Sequence, residues 1–493
     1  MENIAYIKLD EKGVSLIIAQ TRNGRYRVLE EVENNYNLTN DIIKDCLLSP
    51  KSKNDLLKIL NIYRYTIETF NVEKMIAVCS SIIVKARNYR GFLDEIYTNT
   101  GMNFLIMSDE ELVKNTYLSV MANIDASKGY IVDIEAYETY IMKFTRRNVT
   151  EYNSIPFGYS NLSNSGMSDS DMISTVKKEL KKCSLVKGFE EDNLIGCGQS
   201  FVDIAKIAKK LCRYPIDVDN NYDLTDEAVK KVSEFAKDID AQKVKKIKGL
   251  SNNGAESLAG GLAIINAIYD VFKMSSVIVS SANNFNGVVL SNLSGNANEK
   301  YSDLLQNSLD AYYEFKREGL AINNNVYEMA LILFKQLKVV HKLPRAYVKP
   351  LKIAAYMFDC GKFINFDNHQ KHSFYAILNS NIAGASQKDL LIAAFACTCQ
   401  NLDNFNLAEV MKYKDILTEE DIDAIRKLGV LVNLAVNLNA SRKNIISDIV
   451  CDILGDSMIM KTVVSADPSF EIMQSMKISD DFKKVFKKSL QII

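Results

Sequence analysis

The sequence predicts an α/β protein in which one plan is laid down twice, followed by a helical region and a small terminal α+β unit. Apolar, β-branched stretches at 4–9 and 14–20 flank the short turn Asp10-Glu11-Lys12-Gly13, and a second turn, Thr21-Arg22-Asn23-Gly24, leads into a third strand. The same strand-turn-strand order restarts at 129–134, 138–144 and 148–155. Each opening meander is followed by mixed helix and strand, so two similar halves with a cleft between them are expected.

In chain order, the first meander gives way to a helical stretch with Leu56, Leu57, Ile59, Leu60, Ile62 and Tyr63 on one broad face. A strand at 75–79 then enters a segment carrying Ser80 and Ser81. Residues 92–100 suit a helix, 103–107 a strand and 109–121 a helix. In the second half, helices are expected at about 170–184, 200–212 and 225–238, broken by the strand and turn Leu194-Ile195-Gly196-Cys197-Gly198. The apolar helix 258–272 and the strand 276–279 lead to Ala282-Asn283-Asn284-Phe285-Asn286-Gly287. From about residue 300 the pattern is almost wholly helical, and 449–454 and 457–463 read as terminal strands.

At 493 residues the chain is too long for one core. The formal net charge of −1 provides no global field for nucleic acid or polyphosphate, so anion binding would need a local patch. No nucleic-acid motif is found. No apolar run approaches the roughly 18 residues needed to cross a bilayer, and Met-Glu-Asn-Ile carries no basic leader, so a cytoplasmic location is expected. The nine cysteines are scattered without metal-type spacing, which favours reduced thiols. The close pair Cys397 and Cys399 reads as small core residues.

Several segments, taken in order, carry a resemblance. They include the run from Ala77 to Asn88, Ser108-Asp-Glu-Glu111, Tyr117-Leu118 and Asp133. Further along come Pro156-Phe-Gly158, Gly196-Cys-Gly198-Gln-Ser200, Ala259-Gly-Gly-Leu-Ala263, Gly361-Lys362, His369-Gln-Lys-His372-Ser373 and Ser441-Arg442. The chain resembles the exopolyphosphatase and guanosine-pentaphosphate phosphatase family, Ppx/GppA. The resemblance implies an actin-like, sugar-kinase-like ATPase core of two ribonuclease-H-like halves, at 1–124 and 125–300. It further implies a helical HD-like domain at 301–446, a small C-terminal α+β unit at 447–493, and a homodimer formed through the helical domains. The aromatic stretch 363–366 suits such a dimer.

Hydrolysis of a phosphoanhydride needs an aligned water, a base, a divalent cation and donors for the phosphoryl oxygens. Glu111 matches the family's general base, and it also reads as an exposed carboxylate favoured by a helix N-terminus. Asp133 matches the aspartate that holds magnesium, and it also reads as a strand-end turn residue. Around these two the anion cradle is altered. The first phosphate loop has become Lys8-Leu9-Asp10-Glu11-Lys12-Gly13, with lysine for aspartate and aspartate for glycine. The glycine triplet after Asp133 is replaced by Glu135-Ala136-Tyr137. A carboxylate there repels a phosphate by about 4 kcal/mol at about 4 Å and an effective dielectric near 20. The arginine expected after Ser80 and Ser81 is Val84, and nearby Lys85, Arg87 and Arg90 read as a solvated basic face. The loop Gly196-Cys197-Gly198-Gln199-Ser200 keeps two glycines and a hydroxyl, and serves equally as an anion nest or a plain strand-to-helix turn.

In the helical domain, Phe358-Asp359 stands where a metal-binding His-Asp pair is expected, and His369 and His372 lie three apart. The resemblance makes that histidine pair structural or nucleotide-related. The sequence therefore points to a weakly active or inactive Ppx/GppA homologue retained for binding a phosphorylated ligand or for regulation. Ser80, Ser81, Gly196, Gly198 and Ser200 are the phosphate-binding candidates. Polyphosphate and guanosine penta- or tetraphosphate are the ligands the resemblance implies. The alternative is a functional exopolyphosphatase, with Glu111 as base and a magnesium ion at Asp133.

Overall fold

The computed structural model describes residues 1–36, 38, 40–145, 148–189, 193–237, 250, 254–293, 303–316, 321–399 and 402–493. The chain divides into two compact units, Met1–Ser302 and Asp303–Ile493. The expected boundary at 300/301 lies outside the described residues.

In the first unit the strands are β1 (Glu2–Asp10), β2 (Gly13–Arg22), β3 (Arg25–Asn35), β4 (Lys74–Ser80) and β5 (Phe104–Met107). They form a five-stranded sheet in the order β3-β2-β1-β4-β5, with antiparallel β1/β2 and β2/β3 pairs and parallel β1/β4 and β4/β5 pairs. The second sheet comprises β6 (Lys128–Ile134), β7 (Thr139–Thr145), β8 (Asn148–Ile155), β9 (Asn193–Cys197), β10 (Tyr222–Thr225) and β11 (Ser276–Val279). Its order is β10-β11-β9-β6-β7-β8. Apart from the added antiparallel edge strand β10, this repeats the first sheet strand for strand, with β6 in the place of β1. The doubled α/β architecture of an actin-like ATPase core is therefore present.

The two sheets are held by a shared apolar layer. Ile4, Tyr6 and Ile17 of the first sheet and Ile131, Phe144 and Ile195 of the second pack with Val113, Tyr117 and Val120 of the helix Asp109–Met121. Phe285, Val288 and Val289 of the helix Asn284–Ser291 complete that layer. These two helices approach so closely that a Cβ on Gly287 would fall 1.9 Å from the Asn115 carbonyl oxygen. The first sheet's other face, including Ile7, Leu9, Leu16 and Ile18, buries Leu56 and Leu60 of the helix Pro50–Thr69.

The parallel strands β1, β4, β6, β9 and β11 end at Asp10, Ser80, Ile134, Cys197 and Val279. Ligands of open α/β sheets bind outside such carboxyl ends.

In the second unit, the helices Leu304–Glu314, Ala321–Gln336, Val348–Tyr356, His369–Asn379, Gln387–Thr398 and Glu419–Asn437 precede a three-stranded sheet. That sheet is β12 (Ile446–Leu454), β13 (Ser457–Val464) and β14 (Ser489–Ile492), with β13 central. Met458, Met460 and Phe482 are fully buried there. The nine cysteines are free thiols, and Cys397 and Cys399 are buried. Among the described residues no helix is long and apolar enough to cross a membrane.

Candidate functional site

The first turn of the first half is closed on itself. Asp10 pairs with Gly13 across β1 and β2, and Asp10 Oδ1 accepts hydrogen bonds from the backbone N–H groups of Lys12 at 2.9 Å and Gly13 at 3.2 Å. Those are the donors that a phosphate loop would offer to an anion. The other carboxylate oxygen of Asp10 lies 2.9 Å from Lys8 Nζ. Burial alone would push the Asp10 carboxyl up, but Lys8 and Lys12 outweigh it and hold it below the usual carboxylate range. Its neighbour Glu11, 6% exposed, is shifted the other way: burial, then the charge of Asp10, outweighs the opposing charge of Lys12 and pushes its carboxyl up to about 7.

In the second half, the turn after β6 is closed by the Glu135 N–H donating to the Glu138 carbonyl at 3.0 Å. Its Glu135 and Ala136 carbonyls accept from Tyr159 N at 3.1 Å and Ser160 N at 2.9 Å. The Glu135 carboxylate accepts from Asn284 Nδ2 at 2.8 Å and lies 4.0 Å from Lys12 Nζ, which joins the two first turns across the cleft. Lys12 also sits 5.2 Å from the centre of the Tyr159 ring. Burial opposes the charge on Lys12, yet Tyr159, Glu135 and Asp10 together raise its pKa well above the ordinary lysine value. Asp133 is 2% exposed and accepts a 2.9 Å hydrogen bond from Thr116 Oγ1. Burial, followed by the charge of Glu135, pushes its carboxyl up to about 7.

Ser80 caps the short 3-10 helix Ser81–Lys85, its Oγ accepting from Ile82 N at 3.5 Å, and Ser81 Oγ donates to Asp109 Oδ1 at 3.0 Å. Both serines line the cavity at the strand ends. Glu111 does not. Its Oε2 accepts from Ser108 N at 2.8 Å and Ser108 Oγ at 3.0 Å, forming a capping box at the start of the helix Asp109–Met121. The helix instead presents Asp109 and Leu112 to the cavity.

Gly198 holds φ +88° and ψ 163°, and a Cβ there would meet the Ile134 carbonyl oxygen at 2.7 Å and Asp133 Oδ1 at 3.0 Å. A Cβ on Gly196 would strike the Phe201 ring at 2.4 Å. Both glycines thus have packing reasons to be where they are, in a strand-to-helix turn. Ser200 is 6% exposed, and its Oγ has no hydrogen-bond partner. Gly196, Gly198 and Ser200 do not line the cavity that holds Ser80 and Ser81.

That cavity measures about 260 Å³. Its lining brings together Asp10, Glu11, Asp109, Glu135 and Glu138 with only two ammonium groups, Lys8 and Lys85. Sequence reasoning missed Asp109, Glu138, Tyr140 and Asn284 as lining residues. Asn284 lies 149 positions from the glutamate it holds, a relation no local signal carries.

The residues present do not fit the magnesium ion that the architecture implies. Mg²⁺ requires oxygens converging octahedrally at about 2.1 Å. Here Asp10 is taken by Lys8 and two backbone donors, and Asp133 is 2% exposed and held by the Thr116 hydroxyl. Among the described residues no three His, Cys, Asp or Glu side chains converge as a metal site.

In the second unit, Asp359 is 3% exposed, and burial, then Lys362, lowers the pKa of His369. His341 is fully buried: its Nδ1 accepts from Leu343 N at 2.8 Å, so its Nε2 donates to the Phe334 carbonyl at 2.7 Å.

The Ppx/GppA phosphatase family model matches residues 17–295, and the model of Ppx/GppA phosphatase domain III matches residues 319–467. No curated protein matches the chain. Among solved structures, the Ppx/GppA phosphatase of Aquifex aeolicus is similar at 22% identity and a TM-score of 0.51, covering 60% of this chain and 100% of its own. An exopolyphosphatase from Cytophaga hutchinsonii is similar at 16% identity and a TM-score of 0.54, covering 59% of this chain and 99% of its own.

Proposed function

We propose that this chain, which belongs to the Ppx/GppA phosphatase family, is a weakly active or catalytically inactive member retained as a ligand-binding or regulatory protein. One observation carries the reading: Asp10 occupies the backbone donors of its own turn while Lys8 neutralises it, so a carboxylate of the protein stands where a phosphoryl group would be held. Two others support it. Glu135 and Glu138 face the cavity from the second turn, and the helix Asp109–Met121 directs Asp109 and the apolar Leu112 there while Glu111 stays on the cap. Each oxyanion-type donor removed from a site is commonly worth about 3 kcal/mol in rate. A phosphorylated ligand, polyphosphate or a guanosine polyphosphate, would have to displace Asp10 or seat outside this cavity.

The test is magnesium-dependent phosphate release from long-chain polyphosphate. Release at, or only slightly above, the level of a buffer blank is expected, and unchanged in Glu111→Gln. Turnover that disappears in Glu111→Gln would reinstate an exopolyphosphatase with Glu111 as base.

The proposal extends to a homodimer formed by the second unit, where Phe363, Ile364 and Phe366 are 44%, 62% and 72% exposed. Sedimentation that finds only monomer at micromolar concentration removes that part. A cytoplasmic location belongs to the same reading, and the reduced thiols support it.

A further inference from the structure

We propose that the cavity at the strand ends binds a small organic polycation, a diamine or triamine carrying primary or secondary ammonium groups. This deepens the ligand-binding reading above and rests on it. Of the carboxylates in the lining, Asp10 is matched by Lys8 at 2.9 Å, and Glu135 by Lys12 at 4.0 Å and Asn284 at 2.8 Å. Glu11 lies in the field of Lys12, while Asp109 and Glu138 remain with Lys85 as the further ammonium group in the lining. Asp109 accepts only a serine hydroxyl, and Glu138 a tyrosine hydroxyl from Tyr140 at 3.0 Å.

A second observation points to a donor-bearing ligand. Asn284 is 2% exposed and lines the cavity. Its Nδ2 is committed to Glu135, while its Oδ1, which can only accept, has no hydrogen-bond partner. The buried Glu11 carboxylate lines the same cavity. An ammonium group has three donors and no acceptor, which complements such a lining. A metal ion would need the carboxylates to converge on one point, and they do not. An extended amine needs several separate acceptors and apolar surface for its methylenes, which Tyr137 and Tyr140 supply.

Titration calorimetry of the full chain with spermidine tests this. Saturable binding is expected, weakened about tenfold by Glu138→Gln and similarly by Asp109→Asn, each removing one charge-assisted contact while keeping its shape. No heat, or binding that neither substitution weakens, overturns the proposal. Displacement of spermidine by equimolar magnesium chloride also overturns it, as does saturable binding of tripolyphosphate in the absence of spermidine that Glu138→Gln strengthens, because the cavity would then hold a simple cation or an anion. Phosphate release from tripolyphosphate without any such competition would overturn only the non-hydrolytic reading and leave the spermidine result to stand on its own.

Discussion

Lys8 Nζ lies 2.9 Å from Asp10 Oδ2 at the end of β1, and both side chains are almost withdrawn from water. The pair does two things at once. It places a protein carboxylate on the Lys12 and Gly13 N–H groups, and it cancels that carboxylate's charge from within the same strand. A site that would bind an anion from solution is thereby filled by the chain that forms it.

Removing one partner should be costly, because an unpaired buried charge is left behind. Lys8→Met is expected to destabilise the first unit by about 3 kcal/mol. Lys8→Met combined with Asp10→Asn should lose clearly less than the sum of the two single changes, because the pair is removed together. Denaturant titration of the four proteins in the cycle measures this, and strict additivity would mean that the ion pair contributes nothing.

The placement of Glu111 gives a separate expectation. Its carboxylate caps a helix through Ser108, so Glu111→Ala should lower stability by about 1 kcal/mol and leave any residual phosphate release unchanged. Equal stability with altered release would assign Glu111 to chemistry instead.

Stability of the first unit should fall as pH rises from 5.5 to 8. Glu11 and Asp133 have folded pKa values raised by burial to about 7, so the folded state binds their protons more tightly than the unfolded chain does. Their stabilising effect is full below the ordinary carboxylate range and is lost as pH climbs through 7. Asp10 is shifted the other way, and its contribution is lost only at acid pH, outside this window. Glu11→Gln should therefore raise stability at pH 8 by about 2 kcal/mol, change little at pH 5, and flatten the slope. Calorimetric melting across that range checks it, and an unchanged slope in the variant would exclude Glu11 as a source.

Gly198 should not tolerate a side chain. Its φ of +88° with ψ near 163° is a region open essentially to glycine, and the Ile134 carbonyl blocks the added carbon. Gly198→Ala is expected to cost about 2 kcal/mol in thermal denaturation. A neutral result would show that this turn is free to move.

Much of the fold was legible in the sequence because its signals are local. The Asp10-to-Gly13 turn closes the first hairpin as its residues predict, and the helix 109–121 and strand 148–155 stand at their expected bounds. The strands β10 and β14 carry no such signal: Tyr-Asp-Leu-Thr and Ser-Leu-Gln-Ile each have a polar residue in their interior, unlike the apolar β5 and β11 of the same length. At the site, the sequence showed that glycines had given way to Glu135, Ala136 and Tyr137, but it could not show where the charges would go. The contact of Glu135 with Lys12 exists only once the two halves meet, and its contact with Asn284 only once the second half has folded. Glu111 and Leu112 differ by one position, yet one residue is about 100° of helical rotation, enough to put leucine in the cavity and glutamate on the cap.

The most direct test of the internal carboxylate is to remove it. Tripolyphosphate titrated calorimetrically into the natural chain should give no saturable heat, whereas Asp10→Gly, which frees the Lys12 and Gly13 donors and the Lys8 ammonium together, should gain measurable affinity. Saturable binding by the natural chain that Asp10→Gly leaves unchanged would contradict the account.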